Sequence, residues 1–263
     1  MPWIEFGPSD GVPVVIVPGL TDGLGPVSEP AIAAAIPAPP AAWADVRVVV
    51  VSHRHPIGDD VTTRSLGRDL AAFVETVLGR PAELVAAHSM GTMIATHLAV
   101  DRPDAVRRLV LSAPVAVPDV HLAGHVRRWA TLVAEGDWKG FAVAACTAAY
   151  TGRERERQLA AIEVVGPPAA THLADRHLAL SAVALAHDAT TVLPTVDQPT
   201  LLLGGTADPV VTPTAVARVA DLVPHAEIGW FEGLAHGFPE QDRAGYQSAL
   251  REFLVDTPVA ARP

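Results

Sequence analysis

The chain has 263 residues, of which 49% are hydrophobic and 18% are charged. This balance allows a large buried core and excludes an intrinsically disordered chain. The formal net charge is −10 at pH 7, which disfavours nucleic acids and anionic membrane surfaces as partners. The apolar runs of the sequence are far shorter than a membrane span.

The N-terminal residues and the cysteine content predict a cytoplasmic location. Met1-Pro2-Trp3 lacks the basic and apolar regions that begin a signal peptide, so none is expected. Cys146 is the only cysteine, which excludes an internal disulfide and fits a reducing compartment. Lys139 is the only lysine, whereas arginine and alanine are abundant, and this bias is typical of a GC-rich bacterial genome.

Short apolar, β-branched runs alternate with longer helical patterns in the first part of the chain. Strands are predicted at Val12–Val17 and at residues 46–52, 84–87 and 108–112. Helices are predicted at residues 31–36, at 63–78 with a stop at Gly79, and at 90–100. Because parallel strands joined by helices give this alternation, we expect an α/β fold with a mostly parallel central sheet flanked by helices.

The alternation stops after Pro114, and residues 115–194 are helical in pattern. The main helices of this stretch are predicted at residues 137–150, 154–164 and 171–187. Strands at residues 200–203 and 226–231, helices at Pro213–Leu222 and residues 244–254, and a loose tail at residues 255–263 follow. The sequence therefore predicts one core domain, residues 1–114 and 195–263, interrupted by a helical cap, residues 115–194.

A serine lies between a predicted strand and a predicted helix, in the sequence A-H-S-M-G at residues 87–91. A sharp strand-to-helix turn projects the Ser89 hydroxyl above the sheet edge, and small neighbours let strand and helix approach closely. The following helix N-terminus favours negative charge at this place. The pattern predicts a nucleophile, and the alternative is a structural serine in a tight turn.

This segment resembles the nucleophile motif G-x-S-x-G of the α/β-hydrolase superfamily, with Ala87 in place of the first glycine. The resemblance extends over nearly the whole chain. It implies the α/β-hydrolase fold, Ser89 as nucleophile, and then, in chain order, an acidic residue and a histidine that complete a catalytic triad.

Asp208 and His236 occupy the expected positions. Asp208 follows the predicted strand at residues 200–203, at the sheet edge where catalytic groups collect in open α/β sheets. A turn or helix-capping aspartate is the alternative. His236 follows the last predicted strand, where the family carries its general base. His88, beside Ser89, is expected to point to the opposite side of the turn and to support the site.

The resemblance also implies an oxyanion hole formed by two backbone N–H groups. One is that of Met90, directly after the nucleophile. We assign the other to Leu20, in the loop at residues 18–22, where Gly19 lets the backbone turn inward and Pro18 replaces the family's histidine. An ordinary glycine turn is the alternative reading of this loop.

Four large side chains of the predicted cap are candidates for an apolar substrate pocket: Trp129, Trp138, Phe141 and Tyr150. The alternative is that they hold the cap helices on the core. The charged run at residues 153–157 is interpreted as a salt-bridged helix start.

The resemblance implies a serine hydrolase that cleaves an ester, lactone or thioester of a small molecule through an acyl-enzyme, without a cofactor. The same triad also serves carbon–carbon bond hydrolases and cofactor-free haloperoxidases, and the fold does not choose among them. A non-catalytic binding member of the fold is a further alternative, and association into a homo-oligomer is left open.

An alternative from another class is a metal-dependent hydrolase. His53 and His55 lie one residue apart at a predicted strand end, and Asp59 and Asp60 follow nearby. However, the sequence downstream shows no further cluster at ligand spacing, and Pro56 and Gly58 indicate a plain loop. We therefore expect no metal.

Overall fold

A seven-stranded sheet lies at the centre of the computed structural model, which describes residues 1–20, 43–166 and 173–256. The strands are β1 (Trp3–Phe6), β2 (Val12–Val17), β3 (Val46–Val51), β4 (Leu84–His88), β5 (Leu109–Ser112), β6 (Thr200–Gly205) and β7 (Glu227–Phe231). Their order across the sheet is β1-β3-β2-β4-β5-β6-β7. β1 is antiparallel to β3, and all the other neighbours are parallel. The predicted, mostly parallel sheet is confirmed.

Among the described residues, helices lie in the connections from β3 to β7 and after β7. They are α1 (Thr63–Phe73), α2 (Met90–Asp101), α3 (Val120–Ala134), α4 (Trp138–Ala149), α5 (Gly152–Val165), α6 (Ala174–Leu185), α7 (Pro213–Leu222), α8 (Phe238–Gln241) and α9 (Arg243–Asp256). A π-helical turn, Val74–Leu78, extends α1 up to the predicted stop at Gly79. α1 starts at a capping box, in which Thr62 and Ser65 each accept a hydrogen bond from the other's backbone N–H.

The middle of the sheet is fully buried. Val14 of β2, Val85 of β4 and Val110 of β5 have no exposed surface. Helices cover parallel strands on both faces, so these strands are continuous apolar runs without polar alternation. This is why the sequence identified them.

Four helices, α3 to α6, stand between β5 and β6. α3 packs against α6 and α4, and α4 packs against α5. The helices predicted at residues 137–150, 154–164 and 171–187 correspond to α4, α5 and α6, although residues 171 and 172 lie outside the described residues. α3 was not singled out by the sequence. We call residues 115–194 the helical insertion.

Two elements differ from the sequence expectation. β1 was not predicted, because Trp3–Phe6 is a short edge strand of alternating exposed and half-buried residues. The predicted loose tail begins too early, since α9 continues to Asp256. The helix predicted at residues 31–36 and the remainder of the tail, residues 257–263, lie outside the described residues.

Among the residues that the structure describes, no helix combines the length and the apolar character needed to cross a membrane.

Candidate active site

Ser89 lies on a strained turn between β4 and α2. Its φ of 53° is in the left-handed region that residues with a side chain rarely adopt. Hydrogen bonds on both sides hold this conformation: the Ser89 N–H donates to the Ser112 carbonyl at 2.8 Å, and the N–H and hydroxyl of Thr92 donate to the Ser89 carbonyl at 2.9 and 2.7 Å. The sharp turn predicted for the nucleophile is therefore present.

Gly91 is required by the close approach of α2 to the end of β2. A Cβ at this position would lie 2.5 Å from the Val17 carbonyl oxygen and 2.6 Å from that of Pro18, closer than real contacts allow. Ala87, which replaces the first glycine of the motif, is fully buried in the sheet, so its methyl group is accommodated.

The structure brings Ser89, His236 and Asp208 into one hydrogen-bonded chain. His236 Nε2 lies 2.9 Å from Ser89 Oγ, and His236 Nδ1 lies 2.7 Å from Asp208 Oδ2. Because the carboxylate can only accept, Nδ1 carries the ring proton and Nε2 accepts from the serine hydroxyl. The three residues follow the carboxyl ends of β4, β6 and β7, which meet at the same edge of the sheet.

Asp208 is a buried carboxylate with every oxygen in use. Its side chain has no exposed surface. Oδ1 accepts hydrogen bonds from the N–H groups of Val210 and Val211, at 2.7 and 2.9 Å, while Oδ2 faces His236. Burial alone would raise the pKa of the carboxyl, but the nearby His236 ring and these hydrogen bonds outweigh it and lower the pKa. Asp208 is therefore an ionised partner for the imidazole.

His88 turns toward His236 and not to the opposite side of the turn, which corrects the sequence expectation. Its Nε2–H donates to the His236 carbonyl at 3.0 Å, and the two ring centroids are 4.9 Å apart. Burial and the neighbouring His236 ring lower the pKa of His88 to about 3, so the ring is neutral. The residue directly before Ser89 thus holds the backbone that carries His236.

The loop after β2 lies against Ser89. A Cβ on Gly19 would be 3.3 Å from Ser89 Cβ, and Leu20 lines the same cavity as Ser89 and His236. His53 Nε2 donates to the Gly19 carbonyl at 3.3 Å. Because a peptide unit is planar, holding this carbonyl also fixes the direction of the Leu20 N–H. Thr21 and Asp22, the end of the predicted oxyanion loop, lie outside the described residues.

A cavity of about 400 Å³ opens above Ser89. Core residues form one wall, and the helical insertion forms another, with Trp129 and Phe141 among the lining side chains. Trp138 and Tyr150, the other two pocket candidates, are not among the described lining residues: Trp138 packs edge-on against Phe141, and the Tyr150 hydroxyl donates to Glu240 at 2.6 Å. The cavity is mostly apolar, with the polar atoms of the site at its floor.

The two histidines considered for a metal site lie in different environments. His53 is buried against Gly19, and His55 is exposed. In the three described stretches, no group of three or more histidine, cysteine, aspartate or glutamate side chains is arranged to hold a metal.

A parallel sheet that presents a serine at a strained strand-to-helix turn, with a histidine from a later strand end, defines the α/β-hydrolase superfamily. The chain belongs to this superfamily, because the family model described as serine aminopeptidase, S33, matches residues 59–242. No curated protein matches the chain in sequence.

Solved structures of α/β-hydrolases share the fold over nearly the whole chain. MGS-M2, an α/β-hydrolase enzyme from a Medee basin deep-sea metagenome library, has a TM-score of 0.80 at 16% identity. The match covers 99% of this chain and 95% of the MGS-M2 chain. The enol-lactonase from Burkholderia xenovorans LB400 has a TM-score of 0.76 at 20% identity, with coverage of 96% and 95%. The putative non-heme bromoperoxidase BpoC from Mycobacterium tuberculosis H37Rv has a TM-score of 0.73 at 22% identity, with coverage of 98% and 96%.

Proposed function

We propose that the protein is a serine hydrolase that cleaves carboxylic ester-type bonds, in esters, lactones or thioesters, of small apolar molecules. The observation that carries this proposal is the unbroken hydrogen-bonded chain from Ser89 Oγ through His236 to Asp208. A hydroxyl, an imidazole and a carboxylate in this order are the parts needed to activate a serine for attack on a carbonyl carbon.

In the proposed mechanism, His236 removes the hydroxyl proton of Ser89 as Oγ attacks the carbonyl carbon. Asp208 keeps the proton on Nδ1, which leaves Nε2 free to accept, and stabilises the charged ring. His236 then gives its proton to the leaving group, and an acyl-enzyme remains on Ser89. Water, activated by the same ring, hydrolyses the acyl-enzyme and restores the serine.

The negative oxygen of the tetrahedral intermediate would be held by the N–H groups of Met90 and Leu20. Met90 is the first residue of α2, so its N–H belongs to a helix N-terminus that favours negative charge. The Leu20 N–H belongs to the peptide whose carbonyl is bound by His53. Donors fixed in advance stabilise developing charge without reorganisation in the transition state.

The cavity supports a small, apolar substrate. Its volume of about 400 Å³ suits a ligand of modest size, and Trp129 and Phe141 supply aromatic surface from the helical insertion. We propose that the insertion is a cap that covers the site, and that these two side chains contact the substrate. The single cysteine, Cys146, is buried and fits a protein of the bacterial cytoplasm.

The named activities of the similar structures favour ester chemistry without deciding it. An enol-lactonase opens an ester within a ring, whereas the name of the putative bromoperoxidase denotes a different reaction on the same fold. We place ester-type hydrolysis first because the site holds an activated serine and an apolar cavity. Carbon–carbon bond hydrolysis, peroxidase-type chemistry and a non-catalytic binding role are the alternatives.

A substrate panel tests the proposal. Nitrophenyl esters of two to eight carbons, γ- and δ-lactones, acyl thioesters and an aminoacyl nitroanilide would be compared with the wild-type protein and Ser89→Ala. We expect hydrolysis of short esters, lactones or thioesters that is lost in Ser89→Ala by a factor on the order of 10³–10⁶. Equal rates in both proteins, or turnover of the nitroanilide alone, would contradict the proposed function.

A further inference from the structure

The segment that carries His236 is attached to the helical insertion as closely as to the core. We call residues 233–241 the histidine segment. The N–H of His236 itself donates to the Ala148 carbonyl at 3.2 Å, and the N–H of Gly237 donates to the Ala149 carbonyl at 2.7 Å. These carbonyls belong to the last turn of α4, where the helix has no partners of its own for them. The end of α4 and the histidine segment therefore complete each other's hydrogen bonding.

Two side chains fasten this contact. Gln241 Nε2 donates to the Thr151 carbonyl at 3.2 Å and to Thr151 Oγ1 at 3.1 Å, while the Thr151 N–H donates to Gln241 Oε1 at 3.1 Å. Thr151 Oγ1 in turn donates to the Gly233 carbonyl at 3.0 Å. We call this pair, Thr151 and Gln241, the clamp. It joins the start of α5 to both ends of the histidine segment.

The hydrogen bonding of the Thr151 side chain is unusual for its position. Thr151 is the N-cap residue of α5, where a threonine side chain ordinarily accepts a hydrogen bond from the first turn of its helix. Here its side chain makes no capping bond, and its hydroxyl is used for Gly233 and Gln241 instead. The polar group of Thr151 therefore serves the histidine segment and not its own helix.

The backbone in the middle of the histidine segment is tightly packed against the helical insertion. A Cβ on Gly237 would lie 2.8 Å from the Ala149 carbonyl oxygen and 3.2 Å from the Tyr150 ring. On its other side, the His236 carbonyl accepts the hydrogen bond from His88. The main chain of His236 is thus held between the insertion and the turn at Ser89. These contacts limit the freedom of the His236 ring to move away from Ser89.

We propose that Thr151 and Gln241 are positioning residues for His236, so that the helical insertion sets the geometry of the general base as well as forming a cavity wall. This inference rests on the proposed function. A displacement of the α4–α5 junction would pull on the His236 backbone and lengthen the Nε2–Oγ contact. The position of the insertion is thereby coupled to that of the His236 ring.

Four variants test the clamp. Thr151→Val removes the hydroxyl but keeps the shape, Thr151→Ser keeps the hydroxyl, and Gln241→Ala removes the amide. Gln158→Ala is the matched control, because Gln158 lies on the same insertion and its amide donates only to Glu154 among the hydrogen bonds described for it. Two quantities would be measured: kcat and KM on a short ester, per site titrated with a fluorophosphonate, and the amide hydrogen exchange of residues 233–241.

We expect kcat to fall about tenfold in Thr151→Val and Gln241→Ala, with KM within about twofold, because a displaced base affects the chemical step more than binding. Exchange of residues 233–241 should accelerate in the same two variants. Thr151→Ser and Gln158→Ala should match the wild type. Wild-type behaviour of Thr151→Ser would separate the role of the hydroxyl from any general loss of stability.

Unchanged kcat per titrated site in Thr151→Val and Gln241→Ala would overturn the inference, because the clamp would then be only structural. This holds whatever the two variants do to the melting temperature or to hydrogen exchange. In that case labelling of wild-type Ser89 would leave the proposed function standing. Absence of wild-type labelling would overturn the proposed function, and the inference with it.

Discussion

At the scale of single residues, the site depends on which proton each group carries. Asp208 is buried and ionised beside His236, so the imidazole keeps its proton on Nδ1 and presents a bare Nε2 to Ser89. His88, neutral because of its burial, holds the His236 carbonyl from the other side. In the proposed mechanism, this arrangement activates the serine without placing a second charged ring next to His236.

Asp208→Asn tests this proton arrangement. An asparagine side chain is nearly isosteric, but its amide can donate to Nδ1 and so favours the tautomer with the proton on Nε2. We expect kcat to fall by about 10³–10⁴, with little change in KM. Steady-state kinetics on the best ester of the panel measure this, and a loss smaller than about tenfold would argue against the assigned role of Asp208.

Substitution of His53 is a second test and concerns the proposed oxyanion hole. If its Nε2–H orients the Gly19–Leu20 peptide, His53→Phe should lower kcat about tenfold, less than the ~10²–10³ seen when an oxyanion donor is removed outright. His53→Gln, which keeps an N–H donor, should retain more activity. Circular dichroism would check the fold of both variants, and equal kinetics for the phenylalanine and glutamine variants would exclude the orienting role.

The sequence could predict that Ser89, Asp208 and His236 lie together because each follows a strand end in the expected chain order, which is a local signal. It did not identify the side chains that hold them. His53 contacts a residue 34 positions away, and Gln241 contacts a residue 90 positions away. Such contacts exist only after folding and leave no spacing pattern. The direction of His88 was predicted wrongly, because its partner, the His236 carbonyl, is 148 positions away in the chain.

Among the helices and strands, the buried strands could be predicted from the sequence, whereas the edge strand β1 could not. β2, β4 and β5 are covered on both faces and are therefore continuous apolar runs, whereas β1 pairs on one side only and carries the exposed Trp3. α3 was not singled out because its four buried residues are spread over 15 positions that also hold Gly124 and two histidines.

The junction of α1, α2 and the end of the helical insertion contains two buried histidines. His97 of α2 and His187, after α6, have ring centroids 5.7 Å apart, and Thr63 Oγ1 lies 2.9 Å from His187 Nδ1. Burial lowers the pKa of both rings, that of His187 from 6.5 to about 4, with Asp188 nearby acting in the opposite direction. Both rings are therefore neutral in the folded protein near pH 7.

This burial predicts a loss of stability in acid. The folded-state pKa of His187 is below its unfolded value, so between pH 6.5 and about 4 only the unfolded chain binds the proton. The free energy of unfolding should be highest above pH 6.5 and fall as the pH decreases, by about 2 kcal/mol at pH 5 from this residue. Urea unfolding at pH 7 and pH 5 should show a smaller pH difference in His187→Gln than in the wild type. An identical difference in both proteins would contradict the assignment.

At the scale of the whole molecule, one sheet edge collects every part of the site. Ser89, Asp208 and His236 each follow a parallel strand, and the loop after β2 reaches the same edge. The helical insertion, which interrupts the chain between β5 and β6, returns to this edge and contributes both a cavity wall and hydrogen bonds to the histidine segment. The fold class could be predicted from the sequence, but the contact between the helical insertion and His236 could not.

We propose that His236 activates Ser89 as a nucleophile. The most direct measurement is treatment of the protein with a fluorophosphonate, followed by mapping of the adduct by mass spectrometry. We predict a single adduct on Ser89 in the wild type, none in Ser89→Ala, and labelling of His236→Ala slowed by at least about 10³-fold. Labelling at another residue, or equally fast labelling of Ser89 without the imidazole, would contradict the account.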